Sequence, residues 1–239
     1  MDNLLDAFAE KFPGISITYT GDGSNAGIQS LLNNDADAIM LSRAPTAEEM
    51  DALQKNGDVE LREVAYDGIT IILNRTNHVD HLTMEQLRDI FSGKIKTWGF
   101  AGFENIPISV YVRNLNSGTY VFFKNHVLDS LDYGVDAIRC VSNEDIVRGV
   151  KHDEGAIGYI GMDFDQGEVK AIALSADGGE NFIDNGRPNI HNKRYPLTRP
   201  LYIAYYKKNK AQIWTFVDYL FSEKGQEIIN NSGFISLDK

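Results

Sequence analysis

Apolar positions along the chain switch repeatedly between helical spacing and the alternating or continuous spacing of strands, a pattern that predicts an α/β architecture. Leu4, Leu5, Phe8 and Phe12 share one helical stripe, which Pro13-Gly14 ends before an expected strand over residues 15–20. A glycine-rich turn follows. Ile28, Leu31 and Leu32 mark the next helix face, residues 38–41 read as a short buried strand, and Thr46 with Glu49 has the spacing of a capping box. Thr83 with Gln86 starts another helix, with Leu87, Ile90 and Phe91 on its apolar side, and Ser117 opens one that carries Phe122 and Phe123. Residues 66–73, 108–112, 156–160, 169–174 and 201–206 are expected strands. Residues 177–193, rich in Gly, Asn and Asp, are expected as a long surface excursion. Two helices close the chain, one around Trp214, Val217 and Leu220 and one around Ile228 and Ile229. The apolar strands at 66–73 and 201–206 bracket the middle block. Both are expected to cross between two lobes and so to form a hinge.

Length supports that division, since 239 residues suffice for two lobes with a core each. No run approaches the ~18 apolar residues of a membrane span, and no basic stretch followed by an apolar block opens the chain. Any export signal is therefore expected to have been removed. The net charge of -11 argues against nucleic acid or an anionic membrane surface as partner. It does not exclude a small anion, because screening confines exposed charges to roughly 8 Å and the groups lining a site decide locally. Cys140 is the single cysteine, and with no His beside it in sequence it is expected as a small buried hydrophobe.

Two segments concentrate hydrogen-bond donors. The turn from Gly21 to Gly27 lies between an expected strand and a helix, where backbone N–H groups and the positive helix end converge, and Ser24 adds a hydroxyl. Its glycines fit neither a dinucleotide fingerprint nor a P-loop. An ordinary glycine turn with Ser24 as N-cap is the plainer alternative. The second segment, Arg113 to Thr119, runs from a strand end into a helix: a guanidinium fork, the hydroxyls of Ser117 and Thr119, and the amides of Gly118 and Thr119. Its plainer alternative is a capped helix beside a solvated arginine. Arg43, after the short strand, is either a second guanidinium for the same purpose or a surface residue beside a turn stiffened by Pro45. His78, Asp80 and His81 share a loop with no fourth ligand nearby and are expected to be solvated. Asp163, Asp165 and Glu168 lack the spacing of a calcium loop, and no Gly-x-Ser-x-Gly elbow occurs.

The chain resembles the phosphate-binding proteins of ABC phosphate importers, the PstS family. The resemblance is sharpest at Leu82, Thr83, Gln86, Leu87, Ile90, Phe91, Ser92, Gly93, Lys94, Ile95 and Trp98. It extends to Gly21-x-Gly23-Ser24, Tyr66 to Ile69, Arg113 with Ser117-Gly118-Thr119, Gly155 to Tyr159, Tyr195 to Leu201, and Gly225-Gln226. It implies a two-lobed type II periplasmic-binding-protein fold, α/β, with two crossing hinge strands. The discontinuous first lobe is expected at 1–69 and 202–239 and the inserted second lobe at 70–201. The implied function is extracytoplasmic capture of inorganic phosphate and its delivery to membrane permease subunits, by a monomer without cofactor or catalysis. Lipid anchoring of the precursor is compatible with that role. Gly23, Ser24 and Asn25 would bind from the first lobe, and Arg113, Ser117, Gly118 and Thr119 from the second.

Two departures from the family pattern carry consequences. Family members usually begin with a strand and a Gly-Ser/Thr loop before the first helix, whereas this chain opens at that helix; a shortened N-terminus or a missing ligand is the expectation, with a sheet strand left unpaired. Arg43 stands where some relatives have an aspartate that accepts the phosphate proton. Another carboxylate must then take that role, Asp67 by first choice and Asp22 by second. The competing functions are a binding protein for sulfate, molybdate or a phosphonate, an enzyme acting on phosphate esters, and a sensor or adhesin on the same fold.

Overall fold

The computed structural model describes residues 1–102, 105–164 and 167–237. The chain divides into two compact units, residues 1–66 with 200–239 and residues 67–199. It leaves the first unit inside strand Val59–Leu73 and returns inside strand Thr198–Tyr206.

In the first unit, Ala38–Leu41 runs antiparallel to residues 202–205, and Val59–Leu73 lies on the other side of Thr198–Tyr206. Consecutive residues of a strand face opposite ways, so a sheet covered on both faces needs apolar side chains at every position. That is why 201–206 reads as an unbroken apolar run. Ile203 and Tyr205 pack with Phe8, Val64, Val217 and Leu220, under helices Asp2–Lys11 and Lys210–Phe221. Ala204 and Tyr206 pack with Ile28, Leu31, Ile39 and Leu53, under helices Ser24–Leu32 and Ala47–Asn56. The expected capping box is present: Glu49 N–H donates to Thr46 Oγ1 at 3.2 Å and Thr46 N–H to Glu49 Oε2 at 2.8 Å.

One expected element of this unit is absent. Residues 15–20 form no strand, and Ile15, Ile17 and Tyr19 are left exposed. Their alternation has the period of a strand, but a strand is held by a ladder, and among the described residues none is formed there.

In the second unit, residues 69–73 pair antiparallel with 157–161. Strand Ala156–Gly161 is followed laterally by Ser109–Arg113 and then Ile138–Cys140, both pairings parallel. Every residue of Ala156–Gly161 is buried, as the central strand of a two-faced sheet requires. Ile72, Cys140, Ile146, Val150 and Ile160 fill one side, so Cys140 is the buried hydrophobe expected. The other side is aromatic, with Phe123 stacked on Tyr159 at 4.3 Å and tilted against Phe91 at 4.7 Å.

The expected strand at 169–174 is instead two short ones, because each half finds a different partner. Lys170–Ala171 pairs with residues 72–73, and Ala173–Ser175 runs parallel to His81–Thr83. The excursion at 177–193 is also only partly on the surface. It contains the helix Arg187–His191, whose Ile190 is fully buried against Gly68, where a Cβ would stand 2.4 Å from Ile190 Cδ1.

Candidate functional site

Each unit presents one of the two donor segments. In the first, Gly23 caps helix Ser24–Leu32 with φ 90°, a left-handed conformation open to glycine at little cost. No side chain caps the helix, so its first amides keep the orientation that attracts an anion. Ser24 is therefore the first helical residue rather than the cap. It is buried, and its Oγ accepts from Ser42 N–H at 3.0 Å and lies 3.1 Å from Ser42 Oγ.

Arg43, 5% exposed, is turned into its own unit. One terminal nitrogen donates to Ala44 O at 3.0 Å and Glu49 Oε2 at 2.6 Å; the other donates to Asn25 Oδ1 at 2.6 Å and Glu49 Oε1 at 2.8 Å. Burial works against the Glu49 charge, yet the bonds from Arg43 and Thr46 hold its carboxyl below the ordinary range. The guanidinium thus braces Asn25 and the Ala44 turn onto a helix start, and only its buried Nε–H has no partner.

In the second unit Arg113 ends its strand, and Ser117 caps helix Gly118–His126 by accepting from Tyr120 N–H at 3.4 Å. The amides of Gly118 and Thr119, both buried, open that helix and have no intrahelical acceptor. The Arg113 fork donates to Asn143 Oδ1 at 3.2 Å and Val141 O at 3.0 Å, and its buried Nε–H is unpartnered. Burial pulls this guanidinium below its ordinary pKa, with Arg199 contributing in the same direction. Both of its protein partners are neutral. A half-buried cation held by neutral acceptors is electrostatically prepared for an anion.

The strand end is fixed from behind. Arg113 N–H donates to Tyr159 OH at 3.2 Å; Tyr159 and Tyr133 share a hydroxyl contact at 3.1 Å, and Tyr133 O–H donates to Tyr120 O at 3.1 Å. Burial raises both tyrosine pKa values, so the chain of hydroxyls stays neutral.

Asp67 and Arg199 form a buried pair in the same unit, 2% and 4% exposed. Arg199 Nε–H and a terminal N–H both donate to Asp67 Oδ2, at 3.0 and 2.7 Å. Asp67 Oδ1 and the other terminal nitrogen of Arg199 are buried without partners. The Arg199 guanidinium lies 5.7 Å from the Phe122 ring, one turn into the helix that Ser117 caps. Asp163 is an electrostatic neighbour: burial first, then Asp67, pushes its carboxyl up to about 6. Asp22, the other candidate acceptor, is exposed.

Arg199, Asn143 and Tyr159 were given no role from the sequence. The available signal was a lone negative charge, Asp67, in the apolar run at 66–73 and a lone positive one, Arg199, two residues before the run at 201–206. Of the loop residues weighed as metal ligands, Asp80 pairs with Lys170 at 2.7 Å and the His81 ring lies 4.1 Å from that of Phe182. Among the described residues no group of three or more His, Cys, Asp or Glu is placed to hold a metal; Asp165 lies outside them.

Residues 1–224 match the family model described as a PBP superfamily domain. The phosphate-binding protein PstS of Staphylococcus saprophyticus is 30% identical over 250 residues, covering 100% of this chain and 77% of that protein. That of Pseudomonas aeruginosa is 27% identical over 257 residues, covering 98% and 80%. Among solved structures, an ABC-type phosphate transport receptor from Vibrio cholerae superposes with a TM-score of 0.84 at 30% identity, covering 99% of this chain and 95% of that one. A proposed substrate-binding protein of a phosphate ABC transporter from Clostridium perfringens, solved with phosphate bound, gives a TM-score of 0.86 at 31% identity, covering 99% and 94%. The fold is that of the type II periplasmic binding proteins, and the chain belongs to the PBP superfamily and, within it, to the PstS family of phosphate-binding proteins.

Proposed function

We propose that this chain captures inorganic phosphate outside the cytoplasm and delivers it to the permease subunits of an ABC importer, acting as a monomer and by binding alone. The observation that carries the reading is Arg113, a half-buried cation with only neutral partners, standing at the strand end that leads to Ser117, Gly118 and Thr119. The Clostridium perfringens neighbour with bound phosphate supports the choice of anion. Ser24, with the amides after Gly23, supplies donors from the first unit. Asn25 is set beside it by Arg43, whose Nε–H is the donor it retains for a ligand. Asp67 Oδ1 accepts the phosphate proton, the one polar demand that the donors cannot meet. No catalytic step is invoked: neither segment holds a nucleophile beside a base.

Titration of phosphate-stripped protein with inorganic phosphate in a calorimeter tests this. One phosphate per chain is expected, and Arg113→Met should weaken binding by about 2–4 kcal/mol, roughly 30- to 1000-fold, for two charge-assisted bonds. No phosphate binding, or binding indifferent to Arg113→Met, overturns it.

A further inference from the structure

We infer that Asp163 is a proton-linked regulator of the anion site: capture of a phosphate dianion draws a proton onto its carboxyl, and affinity falls where that carboxyl is ionised. The inference rests on the phosphate reading above and concerns how that site responds to pH.

Backbone pairing brings Asp163 beside Asp67 within the second unit. The antiparallel ladder between their strands ends at Ile69 with Gly161. Carried two residues further, its register sets Asp67 against Asp163. Met162 Sδ lies 3.8 Å from where a Cβ on Gly68 would stand, as that continuation requires. Asp163 Oδ1 falls 2.6 Å from where a Cβ on Gly161 would stand, so the carboxyl folds back over its own strand end in space that only glycine leaves. Two acidic side chains thus share one end of the sheet, and Arg199 bonds only one of them. It gives two N–H groups to Asp67, and among the described residues no side chain donates to Asp163.

The elements around this carboxyl bear on its charge. Burial most of all, then Asp67 and more weakly Glu144, oppose its ionisation, whereas its own backbone N–H and Arg199 favour it. Arg148, Lys151, His152 and Glu168 line the open cleft that Asp163 borders, but each is engaged elsewhere. Arg148 pairs with Asp145, Lys151 with Glu168, and His152 Nδ1 with Arg148 O. Glu144 and Arg199 also act on Arg113, so Asp163 and the anion-binding guanidinium share their electrostatic neighbours. Glu144 follows Asn143, which holds the Arg113 fork at the start of helix Asn143–His152. A doubly charged oxyanion on Arg113 adds to the negative charge around Asp163, and the neutral carboxylic acid is the form that tolerates it. Anion binding and protonation of Asp163 therefore favour each other.

Phosphate affinity measured by calorimetry across the range in which a carboxyl near 6 titrates, in wild type and in Asp163→Asn, tests the linkage. Wild type should lose affinity relative to the variant as pH rises through 6. The loss should reach about tenfold, the effect of a charge that moves the carboxyl titration by roughly one pH unit. Phosphate itself and the histidines titrate in both proteins, so they cancel in the ratio. Titrations in buffers of different protonation enthalpy should show wild type taking up more protons per phosphate than the variant. An affinity ratio constant with pH overturns the inference, as a merely structural Asp163 predicts. If the variant does not fold, NMR titration of the wild-type Asp163 carboxyl decides: the same titration midpoint with and without phosphate overturns it. Phosphate binding with a constant ratio refutes this inference alone, whereas wild type that binds no phosphate at any pH refutes the proposed function with it.

Discussion

Asp67 takes two hydrogen bonds from Arg199 on one carboxylate oxygen and none on the other, although both oxygens are buried. The free oxygen makes discrimination between oxyanions measurable at a single atom. Asp67→Asn replaces the acceptor-only carboxylate by a group that can also donate. The ratio of phosphate to sulfate affinity is expected to drop roughly a hundredfold, mainly through weaker phosphate binding. An unchanged ratio in calorimetric titrations would remove Asp67 from the proton-accepting role.

Asp163 makes stability depend on pH. Its carboxyl, pushed up to about 6 by burial and by Asp67, holds a proton in the folded state at pH values where the unfolded chain has released it. The contribution is fully present below the ordinary carboxylate range and is lost as pH rises through 6. Asp163→Asn should therefore be more stable than wild type by roughly 1–2 kcal/mol at about pH 8, with no advantage at about pH 4. Urea midpoints at the two pH values check the sign; an advantage that grows on acidification would contradict it.

Tyr159 supports Arg113 from behind, accepting its backbone N–H at 3.2 Å. Tyr159→Phe keeps the ring stacked on Phe123 but removes that acceptor and the contact with Tyr133 OH. A loss of about 1–2 kcal/mol in unfolding free energy is expected, with phosphate affinity weakened several-fold. Equal stability of wild type and variant would show that the hydroxyl chain carries no load.

Gly68 follows Asp67 and gives its space to Ile190. A Cβ there would approach Ile190 Cδ1 to 2.4 Å, so Gly68→Ala should cost about 1–3 kcal/mol by overpacking. Ile190→Val, which deletes the offending methyl, should recover part of the loss when combined with it. If the double variant is no more stable than Gly68→Ala, the strain lies in the backbone instead.

Much of the local structure was legible in the sequence because its causes are local. The Thr46–Glu49 and Thr83–Gln86 boxes close over three residues, and both were read as helix starts. The unbroken apolar runs at 66–73 and 201–206 announced strands buried on two faces, since only a covered sheet tolerates them. Arg113, Ser117, Gly118 and Thr119 could be grouped for a similar reason: seven residues of strand end and helix start keep their donors together wherever the segment packs. The pattern misled at 15–20, where alternation gave the period of a strand but said nothing about a ladder partner. The run at 169–174 had the right composition, yet which neighbour each half would pair with was not written in it.

The sequence by itself therefore determined the α/β layering, the helix starts and the two donor segments, all consequences of interactions between residues close in the chain. Only the tertiary structure decided how the buried charges are matched. The sequence context of Arg43 fits a ligand-facing guanidinium as well as a surface one, but its partner Glu49 comes from the helix that Thr46 caps, and four of its N–H groups are committed within the first unit, which leaves only Nε–H. Asp67 and Arg199, 132 residues apart, meet because the two strands that pass between the units bring them side by side. A charge buried in an apolar strand must find its counterpart wherever folding places it. The unpaired oxygen and nitrogen that remain follow from the angle at which those two side chains meet, and periodicity and spacing in a sequence do not encode that angle.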